Sequence, residues 1–440
     1  MPLYLSRVKI SNIRCFEKLN INFRKKDDLI LWTTLLGDNA TGKTTLLKCI
    51  ALGLCDESSA AGLLKESEEG YIRKDEEWAT ISIELCYSKG SNKTYRINTR
   101  IEKIRMKGKE KQTFEKLRQR TIPFKNFPWH DIFVCAYGIG RGISGTGDIS
   151  GYYPISAVYN LFNYFEGLQN PELILRRIDK KTTVKRILKE VSEKAMRAAG
   201  IDPISMAGAK EGLKVSGQWE SEFPLRDVAD GVRSFLQWII DFIGWALSYD
   251  KKIDRLKMIH GIVIVDALEE HLHPVWQRYV VSDLKKAFPN VQFVISSHSP
   301  LVAAGSSDFE DALLVNLVLE LGNKVVRKYI NLKSLHNLRP DQILRIAFGL
   351  PVIISPKSPD RISRFIELAT KKKPSPSEKK QLATLKQSIK STFEFEHTNY
   401  EQQVYNALNI VLKKILKEEP SEIHKLIEQK TLYKLFRGGD

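Results

Sequence analysis

Cysteine is sparse in this 440-residue chain, and its placement excludes two classes at once. Cys15, Cys49, Cys55, Cys86 and Cys135 are odd in number and show no Cys-x-x-Cys spacing. That argues against a disulfide framework and against a cysteine-ligated zinc site, and sets the expectation of a reducing cytoplasm. Long apolar runs are missing too: no stretch of 18 apolar residues occurs, so no membrane span is expected. Met1 to Leu5 lack the basic-then-apolar layout of a secretory leader. Negative charge is in deficit, with 69 Lys and Arg against 52 Asp and Glu, a net charge of +17. The excess is uneven. Arg100 to Arg120 holds nine basic residues against three acidic ones, and residues 331–440 hold 20 against 12, including Lys371-Lys372-Lys373. Such patches point to a polyanion, with nucleic acid the first candidate. They have no interleaved aromatics, so a surface that tracks a phosphate backbone fits and a base-stacking platform does not.

What is present is a succession of strands and helices. Val8, Ile10, Ile13, Phe16, Leu19, Ile21 and Phe23 predict a strand–turn–strand unit. An apolar strand over 29–36 runs into a glycine-bearing loop and a helix from Thr44. Strands over 78–87 and 94–101 flank a Lys-Gly-Ser-Asn turn and predict a hairpin. Residues 102–128 read as a basic insertion of low hydrophobicity. A strand over 132–136 enters a glycine-rich loop, helical spacing marks 184–198, and a helix over 232–247 is apolar enough to be buried. Two β-branched runs, 262–265 and 291–295, bracket a helix over 275–287, which implies parallel strands covered by helices. A hairpin about Gly322-Asn323 follows, and the pattern from residue 331 onward is helical.

Gly37-Asp38-Asn39-Ala40-Thr41-Gly42-Lys43-Thr44 is a complete GxxxxGK[ST] loop, set between a strand and a helix. Glycines let the backbone curl so that its N–H groups face phosphate oxygens, helped by the positive end of the helix. Lys43 reaches the β- and γ-phosphates and the Thr44 hydroxyl ligates Mg²⁺, so ATP and Mg²⁺ are the implied ligands. Gly37, Asn39, Ala40, Thr41, Gly42, Lys43, Thr44 and Thr45 are the binding candidates. Ile262-Val263-Ile264-Val265-Asp266 is an apolar strand ending in an acid, the Walker B layout, which makes Asp266 the second Mg²⁺ group. His271 and His273, two apart on a turn, have poor zinc geometry without a third ligand.

With these motifs the chain resembles the RecF/SMC-like ABC ATPases over residues 3–335. Val8 to Phe16 is similar to the first strand pair of that family, Tyr137-Gly138-Ile139-Gly140-Arg141 to its Tyr-Gly-x-x-Arg loop, and Leu168 to Glu172 to its Gln-containing segment. Ala229-Asp230-Gly231-Val232-Arg233-Ser234 takes the place of the ABC signature, Glu269 to Pro274 follows Walker B, and Ser296 to Pro300 looks like the switch-histidine loop. The resemblance implies an α/β fold: a mixed sheet with an N-terminal antiparallel subdomain and helical insertions, followed by a mostly helical C-terminal domain. Residues 1–330 would form the ATPase domain, with lobe 1 over about 1–160, a helical insertion over about 161–220 and lobe 2 over about 221–330. Residues 331–440 would dock a partner.

The resemblance also implies a homodimer closed on ATP. Ala229, Asp230 and Gly231 would reach the γ-phosphate held by the other copy, Gln169 would approach Mg²⁺, and His298 would sense the γ-phosphate. Ala229 stands where the family has serine, which removes a hydroxyl contact. Ala267 stands where the family has the glutamate that deprotonates the attacking water, and loss of a general base removes about 10²- to 10⁴-fold in rate. Everything else needed for turnover is in place. That favours a substitution made to trap the ATP state over a naturally slow enzyme, and Glu269 is expected to face elsewhere.

Residues 340–350 look like the tail of ATPases from antiphage systems of the Septu and retron-associated kind, which pair with a separate effector, often an HNH nuclease. A switch subunit of such a system is the leading expectation. A RecF-like ATPase that clamps DNA and a non-hydrolysing scaffold are the alternatives. A fused Toprim nuclease would need acids that are missing after residue 300, and Glu394 to His397 reads as a helix face.

Overall fold

The computed structural model describes the chain apart from residues 1, 27, 68–69, 89–92, 106–112, 143–150, 164, 177, 179–180, 197–203, 207–212, 217–221, 321–323, 336–337, 339, 349–363, 365–367, 369–374 and 394–440. Lys371-Lys372-Lys373 and Glu394 to His397 lie outside the described residues. Compactness divides the chain into residues 1–343 and 344–440.

The first unit begins with β1 (Leu3–Ile13) and β2 (Phe16–Asn22), then a ribbon of β3 (Arg24–Lys25) and β4 (Asp28–Leu29), before β5 (Trp32–Gly37). Helices α1 (Lys43–Leu54) and α2 (Glu57–Leu64) lead to β6 (Trp78–Tyr87), β7 (Thr94–Arg105) and β8 (Thr113–Ile122). An antiparallel sheet forms in the order β2-β1-β6-β7-β8. Its inner face, with Val8, Ile10, Ile81, Ile83, Ile97 and Ile101, packs over α1 residues such as Leu47 and Ile50.

The stretch read as a basic insertion is the arm of this sheet, with β8 paired to β7 from Arg105↔Thr113 to Arg96↔Ile122. An alternating apolar signal is absent because most inward positions of β8 are polar and satisfied by backbone. The Glu115 carboxylate accepts the Tyr71 and Ile72 N–H groups at 2.7–2.8 Å, and Gln119 Nε2 donates to the Cys55 carbonyl at 3.0 Å. Only Leu117 adds an apolar contact to the core from this strand.

Beyond β9 (Val134–Tyr137) come α3 (Pro154–Phe162), α4 (Pro171–Arg176) and α5 (Lys181–Glu190). A small antiparallel sheet follows, of β10 (Ile204–Met206), β11 (Leu213–Val215) and β12 (Phe223–Pro224). Then α6 (Asp230–Tyr249) precedes β13 (Gly261–Val265), α7 (Pro274–Ala287), β14 (Val291–Ser296), α8 (Pro300–Ser307), β15 (Ala312–Glu320) and β16 (Lys324–Ile330). The second sheet has the order β16-β15-β5-β14-β13-β9; only the β15–β16 pair is antiparallel.

Alternation along its central strands serves two cores at once. Ile262, Ile264 and Val294 pack on the side of α1 and the antiparallel sheet, whereas Val263, Val265, Phe293 and Ile295 pack on the side of α6. A sheet buried on both faces explains why these strands read as unbroken apolar runs. In α6, Phe235, Leu236, Trp238, Ile239, Phe242 and Ile243 all face into the second core. The loops after β5, β9, β13 and β14 leave the sheet at one end, because the four strands are parallel, and ligands gather at that end of such sheets.

In the second unit a helix spans Pro376–Phe393. Its start is a capping box: the Glu378 carboxylate accepts Ser375 N–H at 2.8 Å and Ser375 Oγ accepts Glu378 N–H at 3.3 Å.

Candidate functional site

The glycine-bearing loop joins β5 to α1, and Gly42 caps the helix in the left-handed region at φ 87°. A side chain there is excluded twice over, since a Cβ would also lie 2.5 Å from Cys15 Sγ and 2.6 Å from the Phe16 ring. Ala40 also has positive φ, 64°, so the loop curls as phosphate cradles do. Asn39, Ala40 and Thr44 are exposed, Gly42 is half-buried, and Thr41 and Thr45 are buried. Thr41 Oγ1 donates to Asp38 O at 2.8 Å and braces the curl. Lys43 Nζ donates to Gly37 O and Asp38 O, both at 2.8 Å. Burial lowers the Lys43 pKa, while Asp266, Asp38 and Glu269 oppose that shift.

Asp266 follows the last residue of β13 and is 6% exposed. Thr44 Oγ1 donates to its Oδ2 at 2.6 Å, across 222 residues of sequence. Ser296 Oγ donates to its Oδ1. A hydroxyl and a carboxylate side by side beneath the loop are hard oxygen donors, the type a divalent cation with bound phosphates takes, so the donor set fits Mg²⁺. Among the described residues no group of three or more His, Cys, Asp or Glu could hold a metal ion. His273 instead caps α7, its Nδ1 accepting Val275 N–H at 3.3 Å.

Two residues absent from the candidate set shape this centre. Arg141, 4% exposed, fans across it: Nε donates to Gly138 O at 3.0 Å, and Nη2 to Asp266 O and to Ala267 O, the latter at 2.8 Å. Burial pushes its pKa down to about 10, so it stays charged. The other residue is Ser296. Besides meeting Asp266, its hydroxyl accepts Ala267 N–H at 2.8 Å. The sequence held a signal for both, Arg141 ending its glycine loop and Ser296 opening a Ser-Ser turn, but not the partner of either.

His298 is exposed on the loop between β14 and α8. Partial burial, with the Lys43 charge added, lowers its pKa and favours the neutral imidazole. Ala229 and Asp230 are exposed at the N-terminal end of α6, where Ala229 makes no side-chain cap. Gly231 passes so close to His271 that a Cβ would lie 2.3 Å from the His271 carbonyl oxygen. Gln169 N–H donates to Asp241 Oδ1 at 3.0 Å, and the residue lines a pocket with Tyr137, Asn160 and Trp245, next to Leu168, whose N–H meets Gly142 O at 2.7 Å.

Asp241, buried in α6, also accepts the Tyr137 hydroxyl at 2.9 Å. One carboxylate thus ties the helix carrying Asp230 and Gly231 to the end of β9 and to the Gln169 segment. Burial raises the Asp241 pKa from 3.8 to about 6. A raised carboxylate pKa gives stability that is complete below the unfolded value and fades as pH climbs through about 6. Asp241→Asn is therefore expected to flatten the dependence of melting temperature on pH between about 4 and 7. The swing removed is on the order of 3 kcal/mol. A variant that keeps the wild-type slope would assign it to other groups.

Known proteins carry related sequences. A family profile described as "AAA domain" matches residues 7–127, and one described as "AAA domain, putative AbiEii toxin, Type IV TA system" matches residues 156–304. The "Septu protein PtuA" of Bacillus mycoides (strain KBAB4) is 25% identical over 413 residues, 92% of this chain and 53% of that protein. The "Retron Vc95 probable ATPase" of Vibrio cholerae serotype O1 biovar El Tor is 33% identical over 82 residues, 19% of this chain and 16% of that protein. This chain thus spans about half the length, or less, of these two relatives. Among solved structures, the SMC head domain from Thermotoga maritima aligns at a TM-score of 0.41 with 11% identity, covering 75% of this chain and 100% of that one.

Proposed function

We propose that this chain, whose fold is that of the ABC-type ATPases and whose homologues are Septu PtuA proteins and retron ATPases, is the ATP-driven switch subunit of an antiphage defence complex. Two copies close on ATP, and the closed state controls a separately encoded effector, a nuclease of the HNH type. The observation that carries the ATP reading is the meeting of Lys43, Thr44 and Asp266 beneath a loop with the backbone curl of a phosphate cradle. Backbone N–H groups and Lys43 would hold the phosphates. Mg²⁺, held by Thr44 and through water by Asp266, would supply charge neutralisation between the phosphates. The exposed α6 N-terminus supports pairing, since Ala229 and Asp230 leave backbone donors open to a phosphate carried by a second copy.

The decisive measurement is light scattering with ATP, ADP or neither, in the presence of Mg²⁺, followed by copurification with the product of the neighbouring gene. An ATP-specific dimer that retains an effector supports the reading. A partner-free protein whose ATP turnover rises sharply with broken DNA sinks it. One feature favours that second reading, the DNA clamp: strand register gathers Arg7, Lys9, Arg96, Arg100, Arg118 and Arg120 on the outer face of the antiparallel sheet. Glu84 offsets part of this charge, lying 2.9 Å from Arg96. If the face tracks duplex DNA through about five phosphates, log K should fall with log salt at a slope of about −4 to −5. No salt-dependent DNA binding leaves the defence reading alone.

A further inference from the structure

The turn after β13 places Glu269 where sequence spacing did not. Ala267 is left-handed, at φ 47°. Glu270 N–H closes on Ala267 O at 3.0 Å and Leu272 N–H on Glu269 O at 2.9 Å. The same turn is fastened along the end of β14, with Ala267 N–H on Ser296 Oγ at 2.8 Å and Leu268 N–H on Ser296 O at 3.0 Å. Doubled back in this way, the chain returns the Glu269 carboxylate to the switch loop, where Oε1 accepts His298 N–H at 2.6 Å.

The other carboxylate oxygen decides the matter. Oε2 is buried and has no hydrogen-bond partner among the described residues. Its charge acts on Lys43, Arg141 and His298, the groups around the phosphate end of the site. A buried carboxylate oxygen calls for a donor. Of the two cations its charge reaches, Lys43 Nζ is engaged by Gly37 O and Asp38 O, and Arg141 by Gly138 O, Asp266 O and Ala267 O. The donor that suits Oε2 is therefore the O–H of a water lying between Glu269 and the phosphate. Ala267, with a methyl group only, does not compete for that water.

We propose that Glu269 is the catalytic base of this chain, doing from two positions further on what a glutamate at 267 would do. The inference rests on the ATP reading above. The water oxygen bonds to the γ-phosphorus, the bond from that phosphorus to the β,γ-bridging oxygen breaks, and its electron pair leaves with ADP. The water proton passes to Glu269 Oε2 and from there to solvent or phosphate. His298 N–H, by holding Oε1, keeps the carboxylate turned toward the water.

Glu269→Gln tests this, because a glutamine Oε1 can still accept His298 N–H while the proton acceptor is gone. Steady-state turnover should fall by about 10²- to 10⁴-fold. Affinity for a fluorescent ATP analogue and melting temperature should stay at wild-type values. In light scattering, the ATP-bound dimer of E269Q should persist while the wild-type dimer decays as ATP is consumed. Wild-type turnover in E269Q overturns the inference. So does a wild-type chain that binds ATP, turns none over and gains activity only on Ala267→Glu. Failure of the wild-type chain to bind the analogue at all brings down the ATP reading itself, which separates the two failures.

Discussion

Lys43→Ala is expected to abolish useful ATP binding while leaving the protein folded. The ammonium lies 2.8 Å from two loop carbonyls and the residue is 7% exposed, so ATP would have only to draw it from those oxygens to its phosphates. Hydrogen bonds to charged groups are worth about 1.5–3 kcal/mol each. Two of them to phosphate oxygens correspond to affinity weaker by about 10²-fold or more. The cost to the fold is smaller, because two carbonyls lose a partner and one of them, on exposed Asp38, is open to water. Thermal melting with and without Mg²⁺-ATP checks both parts. The wild type should gain stability with rising ATP and K43A should gain none, from a similar starting melting temperature. An unchanged ATP-induced gain in K43A would place the nucleotide elsewhere.

Arg141→Leu is expected to have the largest effect on stability. Removing this buried cation recovers a net electrostatic cost on the order of 3 kcal/mol, the burial penalty left after Asp266, Glu269 and Glu270 have offset part of it. Against this stand three hydrogen bonds, to Gly138 O, Asp266 O and Ala267 O, at about 1.5–3 kcal/mol each. The bonds outweigh the desolvation, and the orphaned carbonyls add to the loss, so a net destabilisation of about 3–5 kcal/mol follows. Asp266 and Ala267 hang from this clamp, so Mg²⁺-dependent nucleotide binding should fall with it. Urea unfolding of the variant gives the first number and nucleotide titration the second. A variant within about 1 kcal/mol of wild type would show that water satisfies the carbonyls.

Arg141 also shows where reading along the chain stops. It was visible as the last residue of Tyr137 to Arg141, but its partners lie 125 and 126 residues away. No local spacing encodes that distance. Ser296 is a parallel case, since a serine after an apolar strand reads as a turn residue until β13 and β14 are set side by side. For β8 the obstacle was chemical: its inward Glu115 and Gln119 bind backbone rather than core, which erases the period-two signal. Glu269 was expected to face elsewhere because it stands two residues beyond position 267, and the left-handed residue Ala267 brings its carboxylate to the His298 N–H instead.

The sequence by itself determined the elements whose signal is contained within about ten residues. These are the glycine-bearing loop with Lys43 and Thr44, the apolar strand ending in Asp266, the buried runs of β13 and β14, and the apolar helix α6. Each depends on periodicity, on glycine conformation or on residue types in fixed order, all of which act locally. Tertiary structure alone decided what meets what: Thr44 with Asp266, Arg141 with two carbonyls of the β13 turn, Gly231 with His271, and Glu269 with the switch loop. Those contacts arise when parallel strands bring distant loops to the same end of a sheet buried on both faces. Strand order and a single left-handed residue then place a side chain, and neither is written in the spacing around it.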